Sequence, residues 1–346
     1  MINISWKVNL INLTPYSLKK LFFLLCLEKF MYKQFLHWLY VKNVKNILDI
    51  KNVALFTKEY VMSISFILFP VVKKTLIDQD NTVKLVLQLS NNKNIETVLI
   101  PNRKNHFTLC LSIQAGCILS CSFCCTGRIN FSKNLKHYEI ISQILLFKYL
   151  VKNIFKNKVI TNIVFMGMGE PLFNINNLLV SIDTLSDSNS FNISRGKITV
   201  SSSGIADKFF LLNEAKIRLA VSLHASNDIL RSKLMAVNKK YSISKVLNAC
   251  KIFVKKDYLT IEYVMLKGVN DSNSCALELV SLLKNIKCKV CLIPFNKFFG
   301  SIYNCSEKKT IVKFKHTLNE FGITTTIRKS MGVDIAGACG QLSGQI

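Results

Sequence analysis

Cys117, Cys121 and Cys124 stand in a C-x3-C-x2-C spacing within the segment GCILSCSFCCTG. Thiols this close on one loop can wrap the corner of a cubane iron-sulfur cluster: three thiolates hold three irons, and the fourth iron is left open for another ligand. A zinc site asks for a fourth protein ligand and usually for two separated pairs. Cys125 is adjacent, but neighbouring cysteines fit one tetrahedron poorly. Buried structural cysteine accounts well for Cys26 and Cys250 and badly for three residues at this spacing. Two more cysteines stand apart. Cys110 precedes the triad and reads equally as a buried free thiol or a reactive one. Cys339 lies in the small-residue segment GVDIAGACGQLSG, where it reads as a mobile thiol that carries something or as a fortuitous surface thiol.

Other segments offer ligand chemistry around such a loop. MGMGEP (166–171) joins glycines, which admit a ligand close to the backbone, to Glu170, a carboxylate able to accept from an ammonium group. The same pattern also reads as an ordinary strand-to-helix turn. SSSG (201–204) and SLHA (222–225) place hydroxyls and His224 after strand-like runs. Each is weak alone. Consecutive strands that all end in polar or glycine-rich segments are better explained by one ligand lying across a common mouth.

These residues need a frame that brings them to one side. Short β-branched runs at 106–113, 162–166, 197–201, 218–223, 260–265 and 289–293 alternate with amphipathic stretches at 138–152, 176–185, 244–255, 275–284 and 309–321. Such alternation predicts parallel βα units, with sites at the carboxyl ends of the strands. Six units fall short of the eight that close a full barrel, so the expected fold is α/β, an open, partial (βα)6 barrel. Helical spacing at 18–30 and 35–48 predicts a small N-terminal helical domain over 1–60. A β-like linker over 61–105 contains a hairpin, with strands at 83–89 and 95–101 around the turn SNNKN. The barrel then covers 106–330, and a tail over 331–346 carries Cys339.

The chain has 346 residues, half of them apolar, enough for a sizeable core. Its 12 cysteines sit clustered in a long chain whose first residues show no basic segment, apolar run and cleavage site, so metal or redox chemistry is expected rather than a secreted disulfide framework, and with it a cytoplasmic location. The apolar stretch 60–72 is broken by Ser63, Ser65 and Pro70 and is shorter than the roughly 18 residues a membrane span needs. A net charge of +26 invites a nucleic-acid reading. It comes from 40 Lys and only 6 Arg, a mixture that an AT-biased coding sequence also produces, so the charge divides evenly between an RNA partner and compositional drift.

In combination, the stretches CLSIQAGCILSCSFCCTG, TNIVFMGMGEPLFNINN, AVSLHASND, TIEYVML, LIPFN and DIAGACGQLSG resemble the radical S-adenosylmethionine (SAM) adenine-C2 methyltransferases of bacterial 23S rRNA and tRNA. The likeness runs from KVNLINL (7–13) to the tail, and Cys125 stands where relatives often have Ser. It implies one [4Fe-4S] cluster on Cys117, Cys121 and Cys124, and two SAM molecules per turnover. The first would methylate Cys339; the second, cleaved to a 5'-deoxyadenosyl radical, would take hydrogen from that S-methyl group. The carbon radical would add to adenine C2, a base matching Glu96 would remove the C2 proton, and Cys110 would attack the Cys339 sulfur to release the product as a disulfide forms. SAM contacts fall on Gly169, Glu170, Ser201, Ser222, Leu223, His224 and Asn296. The implied partners are 23S rRNA, tRNA and an electron donor such as flavodoxin, with no membrane and a monomeric chain. Two alternatives remain at this point: C8 methylation of the same rRNA adenosine, the antibiotic-resistance type, and a non-catalytic RNA- or zinc-binding protein on the same fold.

Overall fold

The computed structural model describes residues 7–102, 106–155, 159–253 and 259–344. Near the N-terminus, helix α1 (Pro15–Leu24) opens with Thr14, whose hydroxyl accepts the Ser17 N–H, and with proline at the first helical position. The helix expected across 18–30 stops early because Cys26 takes a left-handed conformation (φ 54°) and turns the chain. Cys26 is exposed, so its expected place as a buried structural cysteine is corrected; Cys250 is buried. Helix α2 (Met31–Leu36) runs on as a wide turn to Lys42, closed by left-handed Asn43, and α3 (Leu55–Ile64) follows. Phe22 and Phe35, both buried, meet edge to face at 4.9 Å and join α1 to α2.

One ten-stranded sheet forms the body of the protein, its strands lying side by side in chain order. Strands β1 (Val71–Ile77), β2 (Val83–Gln88), β3 (Asn94–Pro101) and β4 (His106–Cys110) pair antiparallel. The expected hairpin is β2 with β3, and because β3 pairs directly with β4 it continues the main sheet. From β4 onward all pairing is parallel, through β5 (Val159–Phe165), β6 (Ile198–Ser202), β7 (Arg218–Ser222), β8 (Leu259–Met265), β9 (Lys289–Pro294) and β10 (Thr325–Ile327). The six expected strands are therefore joined by a seventh, β10, too short to show a pattern of its own. The open α/β architecture matches the expectation.

Helices α4 (His137–Ile154), α5 (Ile175–Ser186), α8 (Ile243–Cys250), α9 (Asn273–Leu283) and α10 (Lys308–Glu320) fall at the expected places. Helix α8 ends at Cys250 rather than 255, and 254–255 lie outside the described residues. Two short helices, α6 (Phe209–Glu214) and α7 (Asp228–Leu234), were not expected. Helix α7 supplies Arg231, fully buried beneath the strand ends. Its guanidinium donates to the carbonyls of Leu223, Ser203, Ser222 and Tyr241 and to Asn238 Oδ1, at 2.7–3.2 Å. It thus ties the loops after β6 and β7 together. No described helix is long and apolar enough to cross a membrane.

Arg231→Met is expected to strand several buried acceptors, each costing about 1–3 kcal/mol, and to lower stability by about 3 kcal/mol or more in urea unfolding. His137, buried between α4 and α5 against Ser181 and Thr184, supplies a pH test. Burial holds its imidazole down at about 4, below its usual 6.5. Its contribution is present above the unfolded value and is lost as pH falls toward 4, because the unfolded state binds the proton more readily. His137→Gln should therefore lose about 2 kcal/mol less than the wild type between pH 7 and pH 5.

Candidate active site

After β4 the chain forms the cysteine loop, closed by a short antiparallel pairing of Gln114–Ala115 with Lys133–Asn134. Contacts from distant parts of the chain fix it. The Ser122 N–H donates to the Leu234 carbonyl at 3.0 Å, the Thr126 hydroxyl to the Leu342 carbonyl at 2.6 Å, and Arg128 to the Gly300 carbonyl at 2.8 Å. The Cys125 N–H donates to the Gly340 carbonyl at 2.7 Å, so loop and tail are joined directly.

Cys117, Cys121 and Cys124 line one cavity of about 150 Å³. Burial pushes Cys117 up to about 12, Cys121 well above its usual value and Cys124 up as well. The negative charge of Cys124 adds to the rise at Cys117 and Cys121, so the thiols are near enough to repel as anions. A bound cation reverses that balance: a coordinating thiol gives up its proton. Cys125 lines neither this cavity nor the one beside it; its charged neighbours are Glu96, Arg128 and Lys84. Among the described residues no three His, Cys, Asp or Glu are grouped as ligands of a single metal ion. A cubane asks for a different arrangement, three thiolates on three separate irons. Three soft donors carried on one loop and facing one hollow fit it.

The polar strand ends complete the hollow. Gly169 has φ 95°, and a Cβ there would sit 2.4 Å from the Gln114 Cβ, so only glycine fits. Glu170 is fully buried in effect: its carboxylate accepts from the Leu172 N–H at 3.1 Å and the Ser203 N–H at 2.7 Å, and burial raises its proton affinity. His224 adopts a left-handed backbone (φ 60°), a strained conformation of the kind that collects at functional sites. Its Nδ1 accepts the Val264 N–H at 3.0 Å, and burial holds the ring down at about 3, so it is neutral with Nε2–H free to donate. Ser201, Ser222 and Asn296 line the same hollow, and Asn296 also donates to the Cys339 carbonyl at 3.2 Å. Leu223 does not line it: its side chain is in the core, its N–H goes to Glu262 and its carbonyl accepts from Arg231.

Cys339 lines this hollow and also the adjoining barrel lumen, a cavity of about 970 Å³ that contains Cys110. Burial, and then the neighbouring Cys339, push Cys110 up to about 12. Glu96 opens onto neither cavity. It is buried on β3, with one carboxylate oxygen 3.3 Å from Lys84 Nζ and the other accepting the Ser343 N–H at 3.1 Å. Burial raises its proton affinity against the opposing pull of Lys84.

Sequence reasoning missed Glu262 and Arg328, which both line the shared wall of the two cavities. A lone carboxylate inside the apolar run of β8 was a signal for Glu262. Arg328 follows a strand too short to be recognised, and nothing local marked it.

Comparison with known proteins now bears on this geometry. The Radical SAM superfamily pattern matches residues 111–278, from the end of β4 through α9. The chain is 42% identical over 348 residues to the dual-specificity RNA methyltransferase RlmN of Wigglesworthia glossinidia brevipalpis, covering 98% of this chain and 91% of that protein. It is 43% identical to the RlmN of Vesicomyosocius okutanii over 98% and 96% of the two. The chain belongs to the RlmN family. A radical SAM methyltransferase from Sphaerobacter thermophilus has the same fold, with a TM-score of 0.92 at 31% identity, covering 98% of this chain and all of that one. Like its RlmN relatives, this is a SAM-dependent radical RNA methyltransferase, with a [4Fe-4S] cluster and SAM as cofactors and RNA as substrate.

The donor geometry generates a direct test. Anaerobically reconstituted wild type and Cys125→Ser should each hold about four irons per chain, whereas Cys121→Ser should lose most of them by metal analysis.

Proposed function

We propose that this RlmN family member forms 2-methyladenosine at an adenosine of the peptidyl-transferase centre of 23S rRNA and at the adenosine just 3' of the tRNA anticodon. It works in the cytoplasm as a monomer, fed by an electron donor such as flavodoxin. The observation that carries the reading is that Cys339 borders both the three-cysteine hollow and the lumen that holds Cys110. A thiol in that position can be loaded on one side and unloaded on the other.

Adenine C2 is an electron-poor amidine carbon, so it cannot attack a methyl donor directly. The cluster on Cys117, Cys121 and Cys124, with SAM held by Glu170 and the polar strand ends, would supply radical chemistry there. Gly169 admits a ligand close to the backbone, while Ser201, Ser222, His224 and Asn296 offer hydrogen-bonding groups from three different strand ends; Leu223 would serve only by shaping the wall. Cys339 carries the methyl group on its sulfur. Cys110, buried as a thiol beside it, attacks that sulfur to release the methylated base, and the two cysteines end as a disulfide. Glu96 takes the C2 proton, a role suited to a carboxylate whose proton affinity is raised by burial. Its Ser343 contact belongs to the tail that bears Cys339, so base and carrier are linked through the same segment. The dual-specificity name shared by the relatives favours this reading over methylation at C8 of the same rRNA adenosine.

Mass spectrometry of 23S rRNA and tRNA incubated with reconstituted enzyme should show 2-methyladenosine in both and no 8-methyladenosine. Cys110→Ala should accumulate a covalent protein–RNA species with product formation down by about two orders of magnitude or more; normal turnover without a crosslink would remove Cys110 from the mechanism.

A further inference from the structure

Arg328 leaves the end of β10 and lies between two of the groups described above. Its Nη1 donates to the Cys339 sulfur at 3.1 Å, and its Nη2 contacts Glu262 Oε1 at 2.5 Å. The other oxygen of Glu262, Oε2, accepts from the Ser201 hydroxyl at 3.0 Å. A continuous polar chain therefore runs from β6 through β8 and β10 to the tail, along the wall shared by both cavities. Its inner end is rigid: the Glu262 side chain is almost fully buried on a central strand, while Arg328 is about one quarter exposed. A guanidinium is planar and permanently charged, so anchoring one nitrogen on Glu262 fixes the direction in which the other points. It points at sulfur.

This matters at the step in which Cys339 is loaded. The thiolate sulfur forms a bond to the methyl carbon of SAM, the methyl–sulfonium bond breaks, and its electron pair stays on the departing thioether. The positive charge of the sulfonium and the negative charge of the thiolate cancel, with no change in oxidation state. The attacking atom must be held as an anion with a lone pair facing the donor, and a thiol on a tail rich in small residues has no packing of its own to hold it. A guanidinium N–H on the cysteine sulfur orients its lone pairs.

We propose that Arg328, braced by Glu262 and Ser201, is the positioning residue that pairs with the Cys339 sulfur as an anion and aims it for methyl loading. The proposal rests on the reading of Cys339 as the methyl carrier. Lys at position 328 would keep the charge and lose the two-pronged geometry, so it should serve only in part.

The test uses the full-length protein and does not depend on RNA. Iodoacetamide labelling at neutral pH, with Cys339 followed by peptide mass spectrometry, should be about tenfold slower in Arg328→Met than in wild type, with partial recovery in Arg328→Lys. Labelling of exposed Cys26 serves as the internal control and should not change. Methyl occupancy of Cys339 after incubation of cluster-loaded protein with SAM alone should fall in the same order. A thermal melt within a few degrees of wild type would separate this from general unfolding, and Glu262→Gln should reproduce the slower labelling if Arg328 itself proves too disruptive. Unchanged labelling and methyl occupancy in Arg328→Met, with only RNA binding weakened, would overturn the proposal and make Arg328 an RNA contact. The carrier role is judged separately: Cys339→Ser must abolish RNA methylation whatever Arg328 does.

Discussion

Parallel pairing sends every strand of β4 through β10 out of the sheet on the same side, so residues hundreds of positions apart emerge onto one rim. The site depends on that constraint. The cysteine loop follows β4, Glu170 follows β5, the serines and His224 follow β6 and β7, and Asn296 and Arg328 follow β9 and β10. Beneath the rim a buried arginine joins two of these segments: Arg231 collects carbonyls from the ends of both β6 and β7. A charged side chain in the core is costly unless its hydrogen bonds are made, and here all but the one to Asn238 are made to backbone, which fixes loop shape rather than side-chain identity.

Burial and charge divide the cysteines by task. Those of the triad sit where burial and one another's charge make their protons hard to remove. Cys110 is likewise kept protonated by its surroundings. Cys339 differs from both, being exposed and hydrogen-bonded by an arginine. Three kinds of thiol thus lie around two adjoining cavities, distinguished by neighbours rather than by sequence context.

Chemistry confined to a short segment was legible before the fold was known. Cys117, Cys121, Cys124 and the MGMGEP turn are local patterns, and the alternation of strand and helix announced the sheet that carries them. What escaped was whatever needed a partner far along the chain. Arg328 meets Glu262 across 66 positions, a separation at which sequence spacing says nothing, and Glu96 was named through the family resemblance alone while its contact with Ser343, 247 positions on, went unseen. Strand β10 has three residues, too few for a period of two, and the left-handed turn at Cys26 cut short a run whose apolar spacing alone read as continuous helix. Leu223 was named a SAM contact by the family resemblance, and its side chain lies in the core just past the end of β7.

The hairpin turn between β1 and β2 has a further consequence. Asp80, in that turn, accepts the Gly332 N–H at 2.9 Å, and Lys84 on β2 donates to the Ala336 carbonyl at 3.2 Å. The root of the tail is therefore moored to the antiparallel edge of the sheet, away from the parallel strands that form the rim. The position of the Cys339 sulfur is set from that mooring, as the length of a crane arm is set by its post. Lengthening or shortening the turn would shift where the sulfur sits, although no residue of the turn lines either cavity.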